Sequence, residues 1–182
     1  MSNNLTTKPS NSLLRSARTG YTLIEVLIVV TVLGIAAALS VPAFNQTGVF
    51  QVQSSLRTIV SEITELQSDA LATQQARAIV FNTSNNSYTM CRVPGTSVDP
   101  TVDGISTTVI GGAVYGNALI RNVNFNNSQT LIFDELGAPV TAAGSNTPAA
   151  DGSLEVIGSG QTFRITVQGY TGRVIVTKTA GE

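Results

Sequence analysis

The sequence of 182 residues contains no histidine, no tryptophan and a single cysteine, Cys91. One cysteine cannot form a disulfide within the chain. The usual zinc, haem and iron–sulfur ligand sets are excluded because they need histidines or several cysteines. Histidine-based acid–base catalysis is excluded as well. We therefore expect no cofactor and no small-molecule substrate, and an enzyme would need a catalytic constellation without histidine, which the sequence does not offer.

The sequence also has few charges. Charged residues make up 12% of the chain, about half of the ~25% that is usual in globular proteins. Residues 1–20 hold three basic side chains and no acidic one, so residues 21–182 hold seven of the ten bases and all eleven acids, a net charge of −4. Because nucleic-acid binding depends on neutralising phosphates, this charge predicts no nucleic-acid partner.

Apolar residues are concentrated near the N-terminus. Residues 1–20 are polar and basic and have no periodic apolar face, whereas residues 26–44 contain no charge. A helix over this run would be about 28 Å long, close to the ~30 Å hydrocarbon core of a bilayer. The basic residues before it predict a single-pass membrane protein with a cytoplasmic N-terminus and an exported C-terminal domain.

Three interpretations of this segment are open from its composition: a plain signal anchor, a cleaved secretory signal and a leader of another kind. Ala36, Ala37 and Ala38 would supply the small residues of a secretory cleavage site. Glu25 disfavours that interpretation because a carboxylate is unfavourable at the head of an apolar segment.

The order of residues around Glu25 supports the third interpretation. A basic leader ends in Gly20, and Tyr21, Thr-Leu-Ile, Glu25 and the apolar run follow. This order resembles the class III signal of type IV pilins and of type II secretion pseudopilins. Tyr21 stands where that family usually has phenylalanine and keeps the aromatic ring.

The resemblance implies a maturation and assembly pathway. A prepilin peptidase with N-methyltransferase activity would cut between Gly20 and Tyr21 and methylate the new amine of Tyr21. Glu25 would pair with the N-terminal amine of a neighbouring pilin or pseudopilin in a filament. Gly34 and Pro42 stand where the family's helix bends, and an interior proline can kink a helix.

A second helix is predicted after the apolar run. Six apolar residues recur at alternating steps of four and three, which predicts one apolar stripe along a helix to about Gln75: Val52, Leu56, Ile59, Ile63, Leu66 and Ala70. Joined to the first segment, it would form one long N-terminal helix, membrane-spanning in its first half.

The remaining sequence is rich in β-branched residues and turn signals. Predicted strands cover residues 78–81, 88–93, 105–110, 118–125, 130–134, 154–157, 163–168 and 173–178, with surface loops at 93–104 and 138–152. The prediction is a pilin-like α+β fold in which the helix packs on an antiparallel β-sheet. Its segments are a leader (1–20), a transmembrane and filament-core helix (21–44), an amphipathic continuation (45–77) and an exported β-rich domain (78–182).

Two short segments of the β-rich part resemble the H-type pseudopilins of type II secretion, the GspH/FimT-like group. They are Leu-Ile-Phe-Asp-Glu-Leu-Gly, ending at Gly137, and Thr-Gly-Arg-Val, which contains Gly172 and Arg173. The resemblance implies a structural, non-catalytic role as a minor pseudopilin of the type II secretion system. A type IV pilus subunit is the alternative, and a DNA-binding minor pilin is a further one.

Few residues are candidates for other chemistry. Arg173 is the candidate DNA contact, because DNA-binding minor pilins carry a Gly-Arg-x-Arg motif, but Ile175 occupies the second arginine position. Asp99 and Asp103 could ligate calcium but lack the alternating spacing of a calcium loop, so no metal site is predicted. Asp134 and Glu135 are expected to be a polar pair at a strand end, and Cys91 a small buried residue.

Overall fold

The computed structural model describes residues 20–45 and 47–181, with side chains described at 20–38 and 48–181. The chain divides into two units, Met1–Pro42 and Ala43–Glu182. The predicted leader up to residue 19 lies outside the described residues.

The first described element is helix α1, Leu23–Asn45. Every side chain described before residue 39 is exposed in the isolated chain. The side chains of residues 39–44, the end of the predicted apolar run, are not among those described. Among the described residues, no helix is at once long and apolar enough to cross a membrane.

Helix α2, Thr47–Thr73, carries the predicted apolar stripe. All six stripe residues, Val52 to Ala70, are buried, and none is more than 6% exposed. The predicted periodicity is therefore confirmed, and the helix ends two residues before the predicted Gln75. Gln46 lies outside the described residues, so the continuity of the two helices stays a prediction.

Nine strands lie within the described residues. They are β1 (Arg77–Asn82), β2 (Ser87–Arg92), β3 (Gly104–Val109), β4 (Leu119–Asn124), β5 (Thr130–Phe133), β6 (Pro139–Val140), β7 (Gly152–Gly158), β8 (Gln161–Val167) and β9 (Val174–Ala180). All pairings between them are antiparallel. They form two sheets, of order β3-β2-β1-β5-β6 and β4-β7-β8-β9, where the sequence predicted one.

Two short elements were not predicted. Strand β6 lies inside the predicted loop 138–152, and helix α3, Gly112–Tyr115, lies between β3 and β4. Strand β6 has two residues and begins with proline. Helix α3 is a single turn and begins with glycine. Elements this short contain no repeating apolar pattern, which is the signal that sequence reasoning uses.

The main core lies between α2 and both sheets. The apolar stripe packs with buried residues of the five-stranded sheet, such as Ile79 and Phe133, and of the four-stranded sheet, such as Leu154 and Ile165. Because strand side chains alternate between faces, the opposite face of the five-stranded sheet has its own cluster: Ala78, Cys91, Ile132 and Val140.

One asparagine joins the two sheets. Asn86, in the β1–β2 turn, donates from Nδ2 to the carbonyls of Ile110 and Ala118 and accepts the backbone N–H of Ile120 at 2.7 Å. These partners lie 24 to 34 residues away in the chain. The side chain therefore binds backbone groups directly after β3 and at the start of β4.

A buried carboxylate lies on the other face of the four-stranded sheet. Glu155 is only 8% exposed and accepts from Arg164 Nη2 at 2.7 Å and from Asn122 Nδ2 at 2.6 Å. The hydrogen bond from Arg164, with that from Asn122, lowers the pKa of Glu155 below its usual range. The charged form is therefore favoured in the folded state.

This arrangement predicts an acid-dependent contribution to stability. Its stabilisation is fully present above the unfolded pKa of glutamate, about 4.3, and is lost as the pH falls through the lower folded value. Glu155→Gln should remove this part of the acid dependence, measured by urea unfolding between neutral pH and pH 3. Arg164→Met should remove most of it as well, and an unchanged acid dependence in both variants would contradict the assignment.

Candidate functional site

The residues of the predicted processing signal lie at the start of α1. Gly20, Tyr21 and Thr22 precede the helix, which begins at Leu23. The Oγ1 of Thr22 accepts the backbone N–H of Glu25 at 3.3 Å, and the Thr22 carbonyl accepts the N–H of Val26 at 3.2 Å. Thr22 is therefore the N-cap of the helix.

Sequence reasoning did not identify this role of Thr22. The signal was present, because threonine followed three residues later by glutamate at the start of an apolar run is the capping-box pattern. The Glu25 side chain also lies in the first turn, where the positive end of the helix dipole favours its charge.

The backbone before the helix is accessible. Gly20 is exposed and is surrounded by open space. Tyr21 is 82% exposed. A peptide bond that is exposed and outside a helix can be bound by a protease without first unwinding regular structure. The geometry of the Gly20–Tyr21 bond thus suits cleavage.

The two predicted bending positions both fall within α1. The helix extends through Gly34 and Pro42 to its end at Asn45. The side chain of Pro42 is not among those described, and the bend stays a prediction.

The predicted DNA contact is on the surface of the second unit. Arg173 is exposed directly before β9 and takes part in the turn after β8, where its carbonyl accepts the N–H of Gln168 at 2.9 Å. Ile175, in the place of the motif's second arginine, is half-buried. Within residues 172–175, which correspond to the motif, Arg173 is therefore the one cation.

The two segments that resemble H-type pseudopilins meet at one residue of α2. Gln67 Nε2 donates to the carbonyl of Gly137 at 2.8 Å and to that of Thr171 at 3.1 Å. Gly137 and Gly172 both pack against Gln67 so closely that an added Cβ would crowd it. Because these two glycines have no side chain, the turn after β5 and the turn after β8 can both pack closely against α2.

The acidic candidates serve as turn formers. Asp134 Oδ1 accepts the N–H groups of Leu136 and Ala138 at 2.9 and 2.8 Å, within the β5–β6 turn. Asp99 Oδ1 accepts from the backbone and the hydroxyl of Thr101, and these bonds lower the pKa of Asp99. Within the described part of the chain, no three His, Cys, Asp or Glu side chains lie close enough together to hold a metal ion.

The only cysteine has the environment of a structural residue. Cys91 is fully buried on β2, as the sequence predicted. Burial, followed by the nearby Asp103 and Asp99 carboxylates, raises the pKa of Cys91 to about 11. The thiolate, which is the nucleophilic form, is therefore scarce at neutral pH.

A half-buried glutamate, Glu62, connects α2 to the five-stranded sheet. Glu62 accepts the Thr108 hydroxyl at 3.2 Å. Burial, together with Glu62, raises the pKa of Tyr88 far above its usual value. Tyr88 therefore keeps its proton and cannot act as a base.

Comparison with known proteins identifies the N-terminal segment. Residues 15–41 match the family model described as the prokaryotic N-terminal methylation motif. The matched residues include Gly20, Tyr21, Thr22 and Glu25. No curated protein matches the chain by sequence.

Two solved structures resemble the chain. The type IV minor pilin FimU of Pseudomonas aeruginosa is 12% identical, with 72% of this chain and 92% of that chain covered and a TM-score of 0.52. The minor pseudopilin EpsH from the type 2 secretion system of Vibrio cholerae is 14% identical, with 72% and 99% covered and a TM-score of 0.46. At this identity the FimU match establishes the fold. The chain thus combines an N-terminal methylation motif with a pilin-like α+β fold.

Proposed function

We propose that this chain is a structural, non-catalytic subunit of a type IV pilin-like filament. The observation that carries the proposal is the arrangement at residues 20–25. An exposed, non-helical Gly20–Tyr21 bond directly precedes a capped helix with Glu25 in its first turn. This arrangement lies within the matched methylation motif and supplies both the cleavage site and the assembly charge that such a subunit needs.

Maturation would start in the inner membrane. The uncharged run 26–44 would anchor the precursor, with the basic leader in the cytoplasm and the β-rich unit exported. A prepilin peptidase would cleave after Gly20 and methylate the amine of Tyr21. The mature subunit would then leave the membrane for a periplasmic or extracellular filament.

Assembly would depend on Glu25. A lone carboxylate among apolar side chains or lipid costs ~3 kcal/mol or more unless it finds a partner. The methylated amine of a neighbouring subunit's Tyr21 is positively charged when protonated and can donate a hydrogen bond to the Glu25 carboxylate. Their pairing would position successive subunits along the filament.

Within this class, we favour a minor pseudopilin of type II secretion, with a type IV pilus subunit as the alternative. The preference rests on the resemblance of the segments around Gly137 and Gly172. A DNA-binding minor pilin is disfavoured by the mature charge of −4 and by Ile175 in the second arginine position of the motif.

Cell fractionation tests the filament role. In a host that carries the complete assembly genes, we expect the mature chain in the sheared filament fraction. Inactivating the assembly ATPase should return it to the membrane fraction. Recovery in the membrane fraction alone, with a working ATPase and filaments present, would contradict the proposal.

A further inference from the structure

We propose that Thr22 is a positioning residue for cleavage of the Gly20–Tyr21 bond. Its hydroxyl caps the N-terminus of α1, so that the Gly20–Tyr21 bond stays outside the helix. The inference rests on the proposed function, because it concerns the same processing step.

The argument begins with the hydrogen bonds at the helix start. Thr22 Oγ1 accepts the N–H of Glu25, and the Thr22 carbonyl, which accepts the N–H of Val26, is the first acceptor of the helical series. The Gly20 carbonyl lies two residues earlier. Hydrolysis adds water across the Gly20–Tyr21 bond and leaves a carboxylate on Gly20 and an amine on Tyr21. The carbonyl that water attacks therefore precedes the helical hydrogen bonds.

Without the Thr22 hydroxyl, the helix has another place to begin. Glycine is about as good an N-cap as threonine, whereas alanine and valine are poor caps. A variant without a cap at position 22 can start its helix at Tyr21, with Gly20 as the new N-cap. The Gly20 carbonyl would then accept the N–H of Ile24, and the peptidase would have to unwind this turn before cleavage.

The test compares four full-length chains that differ at position 22. Wild type, Thr22→Ser, Thr22→Val and Thr22→Ala are incubated in detergent micelles with a prepilin peptidase, and kcat/KM is measured by intact mass. Serine keeps the hydroxyl, while valine keeps the β-branched shape without it. The Thr22→Ser chain should be cleaved within about twofold of wild type. The two uncapped variants should be cleaved more slowly than both, by up to about fivefold, the limit that a typical cap energy sets.

A second measurement distinguishes capping from direct contact with the peptidase. Amide hydrogen exchange of the uncleaved chains should show greater protection of Ile24 in the valine and alanine variants. The inference is overturned if valine supports cleavage as well as threonine does, or if Ile24 protection is the same in all four chains. If wild type is not cleaved after Gly20, the proposed function itself fails.

Discussion

Replacing Glu25 by Gln is expected to lower incorporation of the chain into filaments by at least about 100-fold, since breaking a buried ion pair costs ~3–5 kcal/mol. Glutamine has nearly the size of glutamate and also suits the third position of a capped helix. The substitution therefore removes the charge with little change in local structure. Membrane insertion and cleavage after Gly20 should continue, and the mature chain should accumulate in the membrane fraction.

The matched control is Glu65→Gln, an exposed glutamate of α2. It makes the same chemical change in the second unit, and we expect incorporation close to wild type. Quantitative immunoblots of the filament and membrane fractions give the ratio for each variant. If Glu25→Gln chains enter filaments as efficiently as wild type, the pairing of Glu25 with a neighbouring amine is not needed for assembly.

Gly172→Ala is expected to destabilise the second unit by about 3 kcal/mol, as two effects combine. Gly172 has a positive φ of 67°, where alanine costs about 1–2 kcal/mol. The added methyl group would also displace the Gln67 side-chain amide. Its hydrogen bonds to the carbonyls of Gly137 and Thr171 would then be lost, at about 0.5–1.5 kcal/mol each.

Gly160→Ala separates the two effects. Gly160 has a similar φ of 74°, but open space surrounds it. Gly160→Ala should therefore be destabilised only by the cost of placing alanine at a positive φ, about 1–2 kcal/mol. Gln67→Ala should be less than additive with Gly172→Ala, because both remove the same hydrogen bonds. Urea unfolding of the single and double variants measures these values, and equal losses for Gly160→Ala and Gly172→Ala would show that contact with Gln67 contributes nothing.

Local sequence patterns predicted most of the secondary structure. The stripe from Val52 to Ala70 follows the helical repeat, and burial of one helix face is sufficient to explain it. Eight of the observed strands match predicted ones because β-branched runs between turn residues are a short-range signal. The buried state of Cys91 was also predictable, since it lies within such a run.

The arrangement of the strands was not predictable in the same way. Asn86 appears in the sequence as one of several turn residues, but its side chain binds backbone groups that are distant in the chain. Gln67 lies beside the apolar stripe of α2, and nothing near it in the sequence marks the two turns that it joins. Such contacts follow from tertiary packing, which periodicity does not encode.

The candidate functional residues also include some that local sequence predicts and some whose contacts depend on tertiary packing. Gly20, Tyr21 and Glu25 were identified by their order in the sequence, which is a local feature. The N-cap role of Thr22 is also local and could have been predicted from the capping-box pattern. By contrast, Gly172 and Arg173 are neighbours in one short segment, yet the glycine packs against α2 while the arginine faces solvent.

The most direct test of the central claim is the intact mass of the chain extracted from the membranes of a host with an active prepilin peptidase. If residues 20–25 are a processing signal, the mass will correspond to residues 21–182 plus one methyl group. Fragmentation will place that methyl group on the amine of Tyr21. A chain that begins at Met1, or one that begins after Ala38, would contradict the account.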